Sequence, residues 1–296
     1  MREQTKAHLG LFATNLFFAI NVSAIKYFTT RGFAGPYGLN LVRSIVCVLL
    51  FWLLFLLGSE KKKIDRKDIF RIVLCAFTAL AANQMLFMKG VSLTYPIHAS
   101  LLLLITPILI TFIAAWVLRE MITIYKLIGL FMGVVGACIL ILSGSNAAKG
   151  NDIILGDILV IMSTILYTAY FILVKPLMKK YSAMDVMRWT FTFGAIMILP
   201  LGWNEFANIP WARYSHIEYI LAFMIIVPGT FLAYIFNAYG IKKLSASTAG
   251  AYIYLQPVFA VLIATLFLKE QLEFYKIIAA VIIFCGVYLA NKQVKK

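Results

Sequence analysis

The stretch LLITPILIT (103–111) lies inside an apolar run that carries charges only at its ends, and Pro107 is at its centre. The stretch YLQPVFAVL (254–262) has the same character around Pro257. A proline removes one backbone hydrogen bond from a helix and kinks it. In lipid the freed carbonyl needs another partner, so such breaks belong beside protein or a water-filled cavity. The pair predicts two kinked membrane helices around a central cavity. A kink that only improves packing is the alternative.

The composition excludes a soluble protein. Hydrophobic residues make up 62% of the 296 residues and charged residues 13%, whereas a soluble domain is about half apolar and about a quarter charged. The net charge of +15 does not indicate nucleic-acid binding, because the basic residues fall at the ends of apolar runs instead of in one patch. That distribution suits anionic lipid headgroups.

Ten apolar runs approach the length of about 20 residues that a helix needs to cross a membrane. The fold class we expect is therefore an all-α integral membrane protein with ten transmembrane helices. The first run contains two asparagines and lacks a clear small-residue cleavage site, so we interpret it as a retained span and not as a signal peptide. The predicted spans are 7–28, 36–57, 69–90, 97–117, 125–143, 154–177, 186–201, 219–239, 246–267 and 275–290.

Charge asymmetry predicts the orientation. If the N-terminus is cytoplasmic, ten spans return the C-terminus to the same side. Sixteen of the 27 Lys and Arg residues then lie at cytoplasmic ends of spans and six at outer ends. An excess of Lys and Arg in short cytoplasmic loops is what sets topology. We predict a multi-pass protein of the cell (inner) membrane with both termini in the cytoplasm.

The chain repeats itself at an offset of 150 residues. Matched Pro, Glu, Tyr-Lys and Gly residues in one register are not a chance product of two leucine-rich runs. Each half, 1–150 and 151–296, holds five spans, and an odd number means that the halves cross the membrane in opposite directions. Such inverted repeats build many secondary transporters, with the substrate site between the halves. The matches are Gly90 with Gly240, Pro107 with Pro257, Glu120 with Glu270, Tyr125-Lys126 with Tyr275-Lys276, and Gly136 with Gly286.

These segments resemble a known family. SLTYPIHASLLLLITPILITFIAAWVLRE and its counterpart SASTAGAYIYLQPVFAVLIATLFLKE, together with the basic residue in LNLVRS, are similar to the EamA-type permeases of the drug/metabolite transporter superfamily. The resemblance covers essentially the whole chain. It implies a pseudo-twofold basket of ten helices around a central substrate cavity, and export of amino acids or related metabolites from bacteria. It does not define the substrate.

Ionisable groups inside a membrane are candidates for function. Arg43 is expected about seven residues into the second span, where its guanidinium could grip a carboxylate or phosphate with two hydrogen bonds. A snorkelling or helix-pairing arginine is the alternative. Lys175 is interpreted as a snorkelling residue and Arg188 as a boundary residue, both at inner ends of their spans.

Neutral polar residues are candidates for the cavity wall. An amide side chain in lipid needs a hydrogen-bond partner on another helix whatever the function. Contact with substrate is therefore only one interpretation of each of these residues. Thr106 and Gln256 rank first because the repeat places both beside the prolines. The full set is Asn15, Asn21, Ser23, Asn83, Gln84, Thr106, Tyr167, Tyr170 and Gln256.

No carboxylate is expected at mid-membrane, although proton-driven transporters usually rely on such a relay. His98, at the outer start of the fourth span, is the one candidate relay with a pKa near neutrality, and its alternative is a hydrogen-bonded interface residue. A facilitated exporter that uses the substrate's own gradient is the simpler hypothesis.

Other function classes have weaker support. A membrane-embedded enzyme would need a carboxylate pair, a Ser/His pair at matching depth or a metal cluster, and the sequence offers none, so we expect no catalytic residue, metal or cofactor. A sensor or scaffold would carry a soluble domain. A flippase of lipid-linked or phosphorylated precursors is the closest rival. We expect a small-molecule substrate and membrane lipid as partners, no nucleic acid, and an oligomeric state left open.

Overall fold

A computed structural model of the protein describes residues 2–57, 64–94, 102–142, 152–268 and 274–291. In these ranges the backbone forms α-helices, short π- and 3₁₀-helical segments and turns, and contains no β-strand. The expected all-α fold class is confirmed.

The α-helices are numbered here in chain order. Two π-helical segments, Phe77–Ala81 and Val227–Leu232, and two 3₁₀ turns, Trp211–Arg213 and Tyr252–Tyr254, lie between them. The helices are α1 Arg2–Thr30, α2 Pro36–Leu57, α3 Arg66–Ala76, α4 Ala82–Leu93, α5 Ile105–Leu118, α6 Ile124–Leu142, α7 Ile153–Lys180, α8 Ala183–Ala207, α9 His216–Ile226, α10 Ala233–Lys243, α11 Ala246–Ala251, α12 Leu255–Leu268 and α13 Phe274–Ala290.

Seven helices in the described part of the chain are long and apolar enough to cross a membrane, and three shorter apolar helices, Ile105–Leu118, Ile124–Ile139 and Phe274–Ala290, accompany them. Large apolar side chains face outward, as at Trp116 (84% exposed). Lipid is the solvent that makes such exposure favourable, so the chain is a multi-pass membrane protein. The seven are Glu3–Thr29, Pro36–Leu57, Arg66–Gly90, Ile153–Lys180, Ala183–Ala207, His216–Lys243 and Ala246–Ile263.

The π-helical segments are 150 residues apart, and each joins two α-helices into one continuous helix. Phe77–Ala81 joins α3 to α4, and Val227–Leu232 joins α9 to α10. A π-helical turn adds a residue to the helix and changes the local hydrogen-bond ladder, and such turns are frequent at functional sites. Neither segment was predicted from the sequence.

Two pairs of equivalent helices pack in antiparallel fashion. On α2 and α8, Gly38 lies against Glu205 while Phe51 lies against Phe191, with ring centroids 5.3 Å apart. On α6 and α13, a Cβ at Gly286 would lie 2.7 Å from the carbonyl oxygen of Gly129. Glycine lets the helix backbones approach closely, which is how membrane helices associate.

Helix α1 lies between two partners that run in opposite directions. It is antiparallel to the α9–α10 helix, since Asn21 contacts Gly229 whereas Thr14 contacts Ala233. It is parallel to α12, where the rings of Phe12 and Phe259 meet edge to face at 5.0 Å. Helix α1 therefore holds residues of the first half against two elements of the second half.

The repeated Leu-x-Glu and Tyr-Lys motif holds the start of α11. The Glu120 carboxylate accepts hydrogen bonds from the backbone N–H of Ala246 (2.8 Å) and of Ser247 (3.2 Å), and Lys126 Nζ donates to Ser247 Oγ (2.8 Å). A carboxylate satisfies the unpaired N–H groups of a helix start and complements its dipole. The counterpart Glu270 lies outside the described residues.

Candidate substrate site

The two proline-containing spans meet at their breaks. Leu104 is a turn residue before α5, and Pro107 is the third residue of that helix. Pro257 is likewise the third residue of α12 and follows the 3₁₀ turn Tyr252–Tyr254. Each proline thus lies in the first turn after an irregular stretch, where its missing N–H costs little. The expected kinks are local breaks in the helical ladder.

A backbone carbonyl at the first break receives a hydrogen bond from the other half of the chain. Tyr254 Oη donates to the carbonyl oxygen of Leu104 at 3.2 Å. Tyr254 is 1% exposed, and its ring lies against Gly133, where a Cβ would come within 2.7 Å of Tyr254 Cε2. Leu104 and Tyr254 are themselves 150 residues apart, so the equivalent breaks are in direct contact.

Gln256 is tied to α1. Its Nε2 donates to Asn15 Oδ1 at 3.0 Å, and Asn15 Nδ2 donates to the Leu11 carbonyl at 2.8 Å. One turn earlier, His8 Nδ1 and Tyr252 Oη share a hydrogen bond of 2.8 Å. The structure therefore brings two predicted site residues, Asn15 and Gln256, together beside the second break. Thr106, also predicted, is 2% exposed beside the first break.

Both π-helical segments receive a side-chain hydrogen bond at the same position of the repeat. Asn21 Nδ2 donates to the Gly229 carbonyl at 2.8 Å, and Tyr234 Oη donates to the Ala79 carbonyl at 3.4 Å. A Cβ at Gly229 would lie 2.9 Å from Asn21 Cγ, so glycine is what lets α1 approach. The π-helical turns thus expose carbonyls that polar side chains of other helices bind.

Arg43 is the centre of a polar chain that links α2, α4, α10 and the first π-helical segment. Its Nε donates to Asn40 Oδ1 (2.8 Å) and its Nη2 donates to Gln84 Oε1 (2.7 Å). Gln84 Nε2 contacts Tyr234 Oη at 3.5 Å, and the same hydroxyl reaches Ala79. Arg43 is 5% exposed. The structure therefore joins two predicted residues, Arg43 and Gln84, and buries the guanidinium, so Arg43 does not snorkel.

Two further predicted residues lie on the α4–α7 side of the molecule. Asn83 Nδ2 donates to the Ser163 carbonyl at 2.8 Å. Tyr170 is fully buried, stacks on Tyr167 with ring centroids 6.1 Å apart, and reaches Met187 Sδ at 3.9 Å. Within the described ranges no hydrogen bond or ring contact joins Asn83 or Tyr170 to Arg43 or Gln256, so both fit a supporting role in helix packing.

Four remaining expectations have different outcomes. Ser23 donates to the Ala19 carbonyl of its own helix at 3.4 Å. Lys175 does not snorkel, because its amine binds the carbonyls of Ile241 and of Leu244 (2.5 Å) at the end of α10. His98 lies outside the described residues. Within the described ranges no group of three or more His, Cys, Asp or Glu residues is arranged to hold a metal.

Arg188 is buried, not a boundary residue open to water. It is 3% exposed, its guanidinium lies 3.4 Å from the Phe55 ring centroid, and its Nη2 lies 3.5 Å from Asp185 Oδ1. Stacking on an aromatic ring and pairing with a carboxylate both stabilise a buried guanidinium. Arg188 thus has an internal counter-ion and a structural role.

Sequence reasoning missed Asn40 and Tyr234 of the polar chain around Arg43, and Asn237, the partner of Tyr167. Asn40 precedes Arg43 by three positions, so helical spacing alone could have placed the two on one face. Tyr234 and Asn237 carried no such signal. Asn237 Nδ2 contacts Tyr167 Oη at 3.5 Å, and such pairings between distant parts of the chain depend on how the helices pack.

The carboxylates are confined to helix ends. Those in the described ranges lie at or beyond the terminal turns of their helices or a few residues inside them, as Asp157 does near the start of α7. At the cytoplasmic end predicted for α7, burial raises the pKa of Tyr181, so its hydroxyl stays protonated and donates to Asp68 Oδ2 at 2.8 Å. The hydrogen-bonded groups around Arg43 and around Gln256 are amides, hydroxyls and one guanidinium.

The comparison with protein families identifies the chain. The model of the EamA-like transporter family matches residues 5–142 and again residues 154–292. The chain belongs to this family. Its members are transporters, which agrees with a multi-pass membrane protein and argues against an enzyme.

Relatives of known name agree with this family. The chain is 26% identical over 248 residues to the "Uncharacterized transporter YetK" of Bacillus subtilis (strain 168), covering 83% of this chain and 74% of that protein. It is 25% identical over 263 residues to a "Probable terminal-alkyne amino-acid exporter" of Streptantibioticus cattleyicolor, covering 88% and 85%. A solved crystal structure superposes with a TM-score of 0.75 at 15% identity, covering 97% of this chain and 98% of the other, and shares the fold.

Proposed function

We propose that this EamA-family protein is a secondary transporter that exports amino acids or related small metabolites across the cytoplasmic membrane by alternating access. The observation that carries the proposal is the contact of the two broken spans, where Tyr254 donates to the Leu104 carbonyl. Irregular backbone at membrane depth belongs around a binding site between the halves of a transporter. The name of the S. cattleyicolor relative supports the substrate class.

The architecture that fits this function is a pair of inverted five-helix repeats, 1–150 and 151–296. The family model matches twice, once in each half. The equivalent helices α2 and α8 pack antiparallel, as do α6 and α13, which is what a twofold axis in the membrane plane produces. If the three shorter apolar helices cross the membrane with the seven long ones, the protein has the ten spans that this architecture requires. An even number agrees with both termini in the cytoplasm.

Transport is expected to be facilitated and not proton-driven. A proton relay needs titratable groups along the pathway, whereas the described carboxylates lie near helix ends. The residues proposed to line the pathway are those at the breaks and the neighbouring amides. Gln256, Asn15 and Thr106 form the part beside the prolines, and Arg43 with Gln84 forms a second part beside the π-helical segments.

The test is uptake of labelled amino acids into proteoliposomes, with and without an imposed pH gradient. Wild type should show saturable uptake without the gradient, and Gln256→Leu should lose it because the bond to Asn15 and the polar surface at the break disappear. Gln4→Leu makes the same change at an exposed position of α1 and should transport as wild type does.

Other outcomes would overturn parts of the proposal. Uptake only with the pH gradient would exclude facilitated transport and direct attention to His98 and to the His8–Tyr252 pair. Absence of uptake for every amino acid would exclude the substrate class and favour a flippase of lipid-linked or phosphorylated precursors.

A further inference from the structure

We propose that Asn40 and Arg43 form the subsite that binds the carboxylate group of the transported molecule. The proposal rests on the proposed function and specifies the chemistry of its substrate. It also adds Asn40, which no other argument assigns to the site, and gives Gln84 and Tyr234 a positioning role.

Asn40 and Arg43 are one turn apart on the same face of α2. Arg43 Nε donates to Asn40 Oδ1 at 2.8 Å, which fixes the orientation of the amide. Asn40 Nδ2 is then a buried donor with no hydrogen-bond partner. Arg43 forms its hydrogen bonds to described residues through Nε and Nη2. Its Nη1 and the Asn40 amide nitrogen are thus donors that no described residue uses.

The charge of Arg43 has no internal counter-ion in the described part of the chain. Carboxylates within 4.0 Å of a cation there include the partners of Lys6, Lys180, Arg188 and Lys243. Arg43 has only the neutral oxygens of Asn40 and Gln84. A buried charge without a counter-ion is costly. Arg188 also has buried nitrogens without a hydrogen-bond partner, but its charge is balanced by a nearby carboxylate and aromatic rings. The missing counter-ion is what distinguishes Arg43.

A carboxylate matches this subsite better than a phosphate dianion. One guanidinium supplies one positive charge, which a single carboxylate neutralises. The two carboxylate oxygens can accept one hydrogen bond from Arg43 Nη1 and one from Asn40 Nδ2, and charge-assisted bonds of this kind are the strong ones. A dianion would bring a second negative charge into a region where the described groups offer no second cation.

The same contacts connect the subsite to both halves of the chain. Gln84 accepts from Arg43 and contacts Tyr234, and Tyr234 reaches the Ala79 carbonyl in the first π-helical segment. Tyr234 itself follows the second segment by two residues. A carboxylate bound through Arg43 Nη1 therefore acts on a guanidinium that also donates to Gln84, and so on a hydrogen-bond chain that joins α2, α4 and α10. Binding at Arg43 thus acts directly on helices that we expect to move during alternating access.

The experiment compares the twenty L-amino acids with their α-carboxamides, which differ only in the carboxylate. Thermal stability of the purified protein measures binding, and competition with labelled uptake in proteoliposomes measures transport. Wild type should prefer an acid over its amide at least tenfold. Arg43→Gln should lose this preference, and Arg43→Lys should keep part of it. Arg213→Gln removes an exposed positive charge and should behave as wild type does.

Asn40→Asp is the decisive variant because it supplies the missing counter-ion from within the protein. The new carboxylate should raise thermal stability and occupy Arg43, so that amino acids no longer bind in preference to their amides. This variant folds if the account is right, which separates loss of the subsite from loss of structure.

The outcomes separate the two proposals. Arg43→Gln and Asn40→Asp proteins that keep the preference within twofold of wild type would overturn the carboxylate subsite, while wild-type uptake would still support the transporter. A wild type that moves no amino acid, but is stabilised by acids through Arg43, would overturn the proposed function and support the subsite.

Discussion

Tyr254 donates a hydrogen bond of 3.2 Å to the carbonyl of Leu104, and the two residues occupy equivalent positions of the repeat. Each lies at the break of its own span, one before Ile105 and the other before Leu255. The bond therefore links the backbone at one interruption to a side chain from the other. This contact ties the two irregular stretches together.

Removing this hydroxyl should weaken the fold at the breaks. Tyr254→Phe removes the hydroxyl that donates to the Leu104 carbonyl, and one intramolecular hydrogen bond contributes about 0.5–1.5 kcal/mol to stability. Thermal unfolding in detergent should show a lower midpoint, and uptake should fall with it. Tyr288→Phe removes a hydroxyl from a residue that is 72% exposed and should leave the midpoint unchanged. Equal midpoints for the two variants would refute the assigned role.

The close packing of the Tyr254 ring against α6 requires glycine at position 133. In Gly133→Ala the new Cβ would lie 2.7 Å from Tyr254 Cε2, so the ring must move. Overpacking of this kind costs about 1–3 kcal/mol. The displaced hydroxyl should also lose its hydrogen bond to the Leu104 carbonyl. Gly10→Ala is the matched control, because its Cβ would meet Phe236 Cβ at an ordinary 3.5 Å. If the Gly133 variant is as stable as the Gly10 variant, the close contact does not exist.

The repeated glutamate should act as a helix cap. Glu120→Ala leaves the N–H groups of Ala246 and Ser247 without their acceptor, and loss of such a cap costs about 0.5–2 kcal/mol. Glu3→Ala removes a carboxylate that is 57% exposed and paired with Lys243. Exposed pairs contribute about 0–1 kcal/mol. A larger fall in unfolding midpoint for the Glu3 variant would contradict the capping role.

Orientation can be read from single cysteines in a cysteine-free background. Arg213, in the connection between α8 and α9, and Lys179, in the last turn of α7, are both exposed, and the charge bias assigns them to opposite sides of the membrane. A membrane-impermeant thiol reagent applied to intact cells should label Arg213→Cys and not Lys179→Cys. The reverse pattern would invert the proposed topology.

The helices were predictable because lipid imposes a simple rule. Long apolar runs must be helical to satisfy their backbone groups, and α2 has the bounds 36–57 that the hydropathy predicts. Several other helices extend a few residues beyond their apolar runs, as α8 does to Ala207. Polar residues at helix ends can continue the helical hydrogen bonds into the headgroup region. Hydropathy alone therefore predicts helix ends that are too early.

The π-helical segments and the long-range pairings were not predictable from local pattern. FTALA and VPGTFL share little beyond their offset, and the extra residue of a π turn has no composition of its own. Asn15 and Gln256 are 241 residues apart in the chain, so their pairing depends on which helices become neighbours in the fold. For Arg43 the sequence indicated burial in a span, but its neutral partners and the unused donor of Asn40 follow only from packing.

The most direct measurement of alternating access is the reactivity of Gln256→Cys in a cysteine-free protein, with a thiol reagent supplied from one side of the membrane at a time. The account predicts labelling from both sides, with the balance between sides shifted by a transported amino acid. Labelling from one side only, or rates that no amino acid changes, would contradict a substrate site at the contact between the two broken spans.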